Sequence, residues 1–149
     1  MNIRQFSILL SRFALFIIYF WFGFLKVIGQ SPASTMVEHL FQKTMAPVMP
    51  FMSFSLFIIL FGLFEMLIGI LFIIPGMEKT AFILFFIHMF TTFLPLFMMT
   101  AEIWTHPFVP TLEGQYIIKN VALIACVFNI WTSLMLQKSP IKNQSSITL

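Results

Sequence analysis

The sequence has few of the residues that build redox, metal or nucleotide sites. Its single cysteine, Cys126, lies in an apolar run, and one cysteine excludes an intramolecular disulfide, a C-x-x-C pair and a cysteine-based zinc site. We interpret it as a small packing residue. The sequence also has no glycine-rich nucleotide loop, no G-x-S-x-G elbow and no H-E-x-x-H zinc motif. We therefore expect no intrinsic cofactor, no metal site and no catalysis by this chain on its own.

Charged residues are also scarce. They make up 9% of the chain, against 60% hydrophobic residues and a mean hydropathy of +1.00. The acidic residues are all glutamate, and the basic residues are spread along the chain, so the net charge of +3 forms no basic patch. Nucleic-acid binding is therefore excluded, because it needs clustered lysine and arginine. The composition indicates a chain whose main solvent is the lipid bilayer.

Four apolar segments are long enough to cross a membrane, since a helical span needs about 20 mostly apolar residues. We predict spans over residues 7–28, 51–74, 80–100 and 116–136. Helix-stopping residues separate these spans, at Gly29, Pro75 and Pro107. The predicted fold is all-α. It is an integral membrane bundle of four transmembrane helices in a single domain, residues 1–138, followed by a short polar tail over residues 139–149.

The distribution of basic residues predicts the orientation of the bundle. With four spans, both termini lie on one side of the membrane, together with the short loop that follows the second span. That side is the cytoplasm by the positive-inside rule. Its basic residues are Arg4, Arg12, Lys79, Lys138 and Lys142. The outer face then receives two longer loops, residues 29–50 and 101–115, and we expect accessible chemistry there.

Each predicted span carries one stripe of small or polar residues at helical spacing. Membrane helices turn such stripes toward one another, because small residues let backbones approach and polar side chains find hydrogen bonds there. We therefore expect the stripes to face the inside of a compact bundle. They comprise Arg12, Tyr19, Gly23 and Lys26 on the first span, Gly62, Glu65 and Gly69 on the second, His88, Thr92, Pro95 and Glu102 on the third, and Lys119, Ala122, Cys126, Asn129 and Ser133 on the fourth.

Glu65 and His88 are predicted to lie at matching depth near the middle of the membrane. At about 1.5 Å per helical residue, each is roughly 12 to 14 Å from the cytoplasmic boundary. A charge there costs at least about 2.5 kcal/mol on insertion scales, so it has to face protein or water. One interpretation is a functional pair that shares a proton or hydrogen-bonds the head of a ligand such as a quinone. The other is a structural hydrogen bond between neighbouring helices.

Four further charged residues are predicted near the outer ends of the helices. Lys26 and Lys119 lie at the outer ends of the first and fourth spans, and Glu102 and Glu113 lie at the same level on the loop between the third and fourth. Together with the mid-membrane pair they are candidate ligand-binding residues, and they predict an outer ring that binds an anionic substrate or head group. The alternative is that the two lysines extend to the membrane interface, as long basic side chains commonly do.

Three segments carry recognisable motifs: Ser11-Arg12 with residues 21–26 (WFGFLK), residues 62–69 (GLFEMLIG) and residues 113–120 (EGQYIIKN). In this order on four spans they resemble the DoxX-like family of small four-helix membrane proteins, a broad group that includes the YkgB-like inner-membrane proteins. The resemblance covers nearly all of residues 11–133 and implies a four-helix bundle in a bacterial inner membrane. It matches Lys26, Glu65 and Lys119 to motif positions, without a catalytic role. Among relatives it implies links to thiosulfate:quinone oxidoreductase, to oxidant stress or to membrane chaperones.

Two functions remain open from the sequence. In the first, the chain is a small membrane subunit that binds a quinone-like or lipid-like molecule within the bundle, while a partner protein supplies the redox centre of a quinone-linked oxidoreductase. In the second, it is an accessory or assembly factor whose outer loops hold another membrane protein. A transporter is a third alternative, because mid-membrane charges also mark ion paths. Four spans are few for a transporter unless the chain forms a homo-oligomer.

Overall fold

Over the residues that the structure describes, the protein is all-α apart from one short hairpin. The computed structural model describes residues 2–138, with side chains described as far as residue 135. Its helices are α1 (Ile3–Val27), α2 (Ser34–Thr44), α3 (Phe54–Ile73), α4 (Glu78–Phe93), α5 (Pro95–Met98), α6 (Thr100–Ile103), α7 (Leu112–Lys119) and α8 (Val121–Lys138). Two antiparallel strands, β1 (Trp104–His106) and β2 (Val109–Pro110), lie between α6 and α7. The predicted polar tail, with Lys142, lies outside the described residues.

Four helical stretches are long and apolar enough to cross a membrane, which confirms the predicted four-helix architecture. They are α1, α3, the continuous stretch Glu78–Met98 that joins α4 to α5, and the stretch Leu112–Met135 that joins α7 to α8. The two described ends of the chain lie at the same end of the bundle, because Arg4 Nη2 donates a hydrogen bond of 2.7 Å to the carbonyl of Ser133. We call this the terminal end of the bundle, and the opposite end the outer end.

The first helix begins at Ile3, earlier than the predicted residue 7, because Asn2 caps it. The Asn2 side chain accepts from the Gln5 backbone N–H, and the Gln5 side chain accepts from the Asn2 N–H. This reciprocal capping box satisfies backbone donors that the first turn would otherwise leave free. The apolar residues that follow can therefore continue one helix of 25 residues.

The third and fourth spans are interrupted where the sequence disfavours regular helix. Pro95 has no backbone N–H, so α4 ends at Phe93 and α5 restarts the stretch at the proline. The fourth span begins at Leu112 rather than at residue 116, because the Thr111 side chain accepts from the Gly114 backbone N–H and caps α7. A break at Asn120 then separates α7 from α8.

The outer end of the bundle carries more structure than the two predicted loops. The segment 29–50 contains α2, and the segment 101–115 contains most of α6, both strands and the start of α7. Helix α2 is amphipathic: Phe41 is buried against Phe54 and Phe57, while the charged side chains of the helix are exposed. Its overall hydropathy is too low for a membrane span, so the sequence predicts only a loop over these residues.

Helices α1 and α3 approach each other closely through two glycines. A Cβ atom on Gly23 would lie 2.5 Å from the carbonyl oxygen of Gly62, and one on Gly62 would lie 2.6 Å from that of Gly23. No other residue type fits this approach without movement of the backbone. The predicted stripes on the first and second spans therefore do face each other.

The stripe on the fourth span faces the bundle over only part of its length. At the terminal end, the Asn129 amide donates to the hydroxyls of Ser7 and Ser11 on α1, at 3.1 and 2.9 Å. At the outer end Lys119 and Ala122 are exposed, so the prediction for them is wrong. The two exposed residues flank the break at Asn120, where α7 ends and α8 begins.

An apolar core fills the space between the four long helices. Its fully buried side chains include Leu15, Ile68, Phe72, Phe85 and Val127. At the outer end, α2, α6, the hairpin and α7 form what we call the outer layer. A second, smaller apolar cluster lies within it and contains Met99, Ile103 and Ile117.

Candidate functional site

Lys26 and Glu65 form an ion pair inside the bundle. Lys26 Nζ donates to Glu65 Oε2 at 2.6 Å, and each residue is 6% exposed. The glycine contact explains how a lysine one residue from the end of α1 reaches the middle of α3. A Cβ on Gly62 would meet the Lys26 Cβ at 2.9 Å, so the two backbones are close enough for the side chain to lie along α3. The alternative that Lys26 extends to the membrane interface is therefore wrong.

His88 on α4 binds the other oxygen of the same carboxylate. Its Nε2 lies 2.8 Å from Glu65 Oε1, and its Nδ1 lies 3.2 Å from the hydroxyl of Tyr19. An ionised carboxylate can only accept, so Nε2 carries the proton and donates it. In neutral imidazole Nδ1 then accepts from the Tyr19 hydroxyl. The predicted meeting of Glu65 and His88 is confirmed, and a continuous hydrogen-bonded chain runs from Tyr19 to Lys26.

Aromatic rings enclose this group of four residues, which we call the Glu65 cluster. The Phe61 ring stacks on the His88 ring, with centroids 5.2 Å apart and planes inclined by 21°, and lies 5.7 Å from Lys26 Nζ. Phe57 stacks on Phe61 in turn, and Phe41 of α2 packs on Phe57. A column of rings therefore connects the outer layer with the cluster and excludes water from this side.

The arrangement can donate hydrogen bonds and move a proton. Tyr19, His88 and Lys26 each carry an N–H or O–H donor, and Glu65 joins two of them through its two oxygens. An acid, a base and an imidazole in direct contact can exchange a proton without water. Because the ammonium and the carboxylate neutralise each other, the cluster as a whole presents donors without a net charge.

Sequence reasoning missed Tyr19 as a member of this site. It lies seven residues before Lys26 on the same predicted stripe, so the spacing already placed both on one face of the helix. An aromatic residue in a phenylalanine-rich span is most simply interpreted as a packing residue, so the sequence alone does not indicate Tyr19 as a site residue. The tyrosine hydroxyl was the signal, since a buried hydroxyl needs a hydrogen-bond partner.

The predicted outer ring does not form. Lys26 is bound to Glu65 within the bundle, and Lys119 lies on the exposed surface, with its Nζ 5.5 Å from the Tyr116 ring. Glu113 is exposed in the first turn of α7. The prediction assumed that both lysines reach one level, but the α1 lysine turns inward beneath the outer layer.

Glu102 belongs instead to an exposed cluster that ties α2 to α6. His39 Nδ1 lies 2.8 Å from Glu102 Oε2, and Lys43 Nζ lies 3.4 Å from Oε1. The hydrogen bond from His39 lowers the pKa of the Glu102 carboxyl below its usual value, with a smaller contribution from Lys43. Sequence reasoning did not foresee these contacts, because it had not identified α2 as a helix.

A third charged contact, at the terminal end, was also missed. Arg12 of α1 forms an ion pair with Glu78 at the start of α4. Glu78 follows the Pro75-Gly76 turn, where Gly76 adopts a φ of +87° that favours glycine. The turn brings Glu78 back beside α1, a contact that spacing along a single helix cannot indicate.

Comparison of the chain with family models, with curated proteins and with solved structures found no match in any of the three. The resemblance to the DoxX-like family therefore stays a prediction. Within residues 2–138, no three histidine, cysteine, aspartate or glutamate side chains come together in a way that could hold a metal ion. The chemistry of the Glu65 cluster is thus the main guide to function.

Proposed function

We propose that this chain is a small multi-pass membrane subunit, DoxX-like in its motifs, that binds the polar head of a quinone-like molecule at the Glu65 cluster. The observation that carries the proposal is the unbroken chain of buried hydrogen bonds from Tyr19 through His88 and Glu65 to Lys26. It joins three helices in the interior of an otherwise apolar bundle. The electrons for any redox reaction come from a partner protein.

The stability of the bundle does not explain why charges are kept at this position. A buried ion pair is often no better for stability than apolar residues of the same volume, because desolvation offsets the attraction. The glycine contact between α1 and α3 and the apolar core already hold these helices together. Ionisable groups inside a membrane are expensive and usually mark a functional path or site. These arguments favour a functional role for Glu65 and His88 over a purely structural one.

The chemistry of the cluster suits an uncharged acceptor. Quinone carbonyl oxygens only accept hydrogen bonds, and the cluster offers the ammonium of Lys26, the hydroxyl of Tyr19 and the N–H of His88 as donors. In this structure Lys26 and His88 donate to Glu65, and Tyr19 donates to His88. A bound head group therefore replaces one of these contacts. Phe61 offers a ring face beside them. A quinone, when bound, accepts electrons and protons together, and the hydrogen-bonded chain can supply the protons.

The same proposal includes the location of the protein in a bacterial inner membrane, with both termini in the cytoplasm. Arg4, Arg12 and Lys79 lie at the terminal end of the bundle, beside the turn between α3 and α4. Such an excess of basic residues favours the cytoplasmic side. The Glu65 cluster would then be covered, on its outer side, by α2 and the aromatic column.

The experiment that tests the proposal is mass spectrometry of the organic extract of the purified protein. Wild type is compared with Glu65→Gln and with Glu102→Gln, which makes the same chemical change at an exposed position. We expect quinone in the extracts of wild type and of Glu102→Gln, and roughly tenfold less for Glu65→Gln, from the loss of a charge-assisted hydrogen-bond network. Only bulk lipid in all three extracts would reject quinone binding.

One observation favours the second candidate, an accessory or assembly factor. Phe108, at the tip of the outer hairpin, is 94% exposed and adopts a φ of +62°, which is uncommon outside glycine. A large apolar side chain held outward in this way is suited to contact another membrane protein. We expect Phe108→Ser to abolish partner capture, with unchanged quinone content, if this function is the correct one. Capture that survives the substitution would count against it.

A further inference from the structure

A cleft opens between α1 and α8 at the terminal end of the bundle, far from the Glu65 cluster. It has a volume of about 310 Å³, and Gln5, Ile8, Leu9, Arg12, Glu78 and Leu134 are among its lining residues. A second cleft of about 230 Å³ lies on the other side of Glu78 and Leu134 and is lined by Lys79 and Trp131 as well. The two clefts therefore meet along one pair of residues.

The charges around these clefts are unbalanced. Arg12 is paired with Glu78, but its Nε is buried and has no hydrogen-bond partner among the described residues. Arg4 lies alongside, bonded to the carbonyl of Ser133, and Lys79 lines the second cleft. Arg12 and Lys79 thus line clefts that contain one glutamate, and Arg4 bonds to Ser133 in the lining of the first cleft. A phosphate at the mouth of the first cleft can bind the exposed part of the Arg12 side chain, which lines the cleft, and reach a neighbouring base.

The rest of the lining is apolar. Ile8, Leu9 and Leu134 lie beside the guanidinium, and Trp131 flanks the second cleft. An occupant therefore needs a negative head and hydrocarbon next to it. A free anion satisfies only the first requirement, whereas a phospholipid satisfies both. The anionic lipids of the cytoplasmic leaflet also lie on the side where the basic residues place this end of the protein.

We propose that the cleft between α1 and α8 binds the phosphodiester head of an anionic phospholipid, with Arg12 as the main donor and Arg4 and Lys79 as supporting charges. The acyl chains lie along Ile8, Leu9 and Leu134. This site is separate from the Glu65 cluster and does not depend on quinone binding.

Native mass spectrometry tests the proposal with the intact protein and an equimolar mixture of phosphatidylglycerol and phosphatidylcholine. The first variant, Arg12→Gln with Glu78→Gln, keeps the net charge of the protein and keeps a hydrogen bond between the two side chains. We expect it to retain roughly tenfold less phosphatidylglycerol than wild type, because it loses the charge-assisted hydrogen bond from the guanidinium to the phosphate. Lys43→Gln, at the outer end, is the control and should retain as much as wild type.

A second variant provides an independent test in case the first one misfolds. Leu134→Trp fills the space shared by the two clefts and leaves every charge in place, so it should also lower phosphatidylglycerol retention. Equal retention by wild type and both cleft variants would overturn the proposal. Displacement of the lipid by excess inorganic phosphate would overturn the assignment to a phospholipid in favour of a free anion, and retention of the lipid in phosphate would support it.

Discussion

Lys26 Nζ lies 2.6 Å from Glu65 Oε2, and each of the two side chains is only 7% exposed. The pair crosses from α1 to α3 next to the contact of Gly23 with Gly62, where a Cβ on either glycine would clash with the backbone of the other helix. The glycines therefore do more than pack helices. They bring a lysine near the end of one helix to a glutamate in the middle of another, and the Glu65 cluster depends on both.

Removal of one partner of this ion pair should destabilise the protein. Glu65→Ala leaves the Lys26 ammonium buried without its carboxylate, and we predict a loss of about 3–5 kcal/mol in the free energy of unfolding. Denaturation by sodium dodecyl sulfate in mixed micelles, followed by circular dichroism, measures the change. A loss below about 1 kcal/mol, the usual range for an exposed pair, would show that the two charges are not buried as described.

Replacement of both partners separates function from structure. We predict that Lys26→Met with Glu65→Leu unfolds at a free energy within about 2 kcal/mol of wild type, because the avoided desolvation of the ion pair offsets the loss of the Glu65 acceptor for His88. The same double variant should lose its quinone. A folded double variant that retains quinone at the wild-type level would assign the Lys26–Glu65 pair to packing alone.

The glycine contact itself is sensitive to a single methyl group. We predict that Gly23→Ala lowers the free energy of unfolding by about 1–3 kcal/mol, because its Cβ meets backbone and the helices have to separate. Leu60→Ala, on the exposed face of α3, is the control and should change stability far less. The same denaturation assay compares the two. Equal effects would mean that α1 and α3 are not in close contact at Gly23.

The exposed cluster at the outer end should respond to acid. The hydrogen bond from His39 lowers the pKa of Glu102, so the contact stabilises the fold above the pKa of the unfolded glutamate, about 4.3. This stabilisation declines as the pH falls below that value and is lost as the pH passes through the lower folded pKa. We predict faster hydrogen exchange in α2 over this range, after correction for the intrinsic rate. Glu102→Gln should exchange without such a step.

The orientation of the chain in the membrane can be measured by cysteine labelling. With Cys126 replaced by alanine, a cysteine at Gln42 and one at Lys79 report on the two ends of the bundle, and both positions are exposed. We predict that a membrane-impermeant maleimide labels intact bacterial spheroplasts at position 42 only, and labels position 79 after lysis. Labelling of position 79 in intact spheroplasts would reverse the proposed orientation.

Much of the fold follows from the sequence because the membrane imposes few solutions. Runs of about 20 apolar residues separated by glycine and proline predict helical spans directly, and the four predicted spans correspond to α1, α3, α4 with α5, and α7 with α8. Helix α2 was missed for the opposite reason. It is amphipathic rather than apolar, so it does not resemble a membrane span, and its contact with α3 through Phe41 depends on tertiary packing.

The candidate site could be predicted from the sequence only in part. Depth along a helix follows from residue count, so the meeting of Glu65 with His88 could be predicted from the sequence. The partner of Lys26 could not, because it depends on how closely α1 approaches α3 and on where α1 ends beneath the outer layer. Side chains at helix ends can point inward or toward the interface, and only the packing of neighbouring elements decides between the two.

Photolabelling with an azidoquinone tests the central claim most directly. The probe is activated on the protein in lipid nanodiscs, and the labelled peptides are identified by tandem mass spectrometry. We predict adducts within residues 57–66 of α3 and 85–92 of α4, which are suppressed by excess unlabelled quinone and lost in Glu65→Gln but not in Glu102→Gln. Labels spread over the lipid-facing residues, insensitive to competitor and to the Glu65 substitution, would contradict a quinone site at the Glu65 cluster.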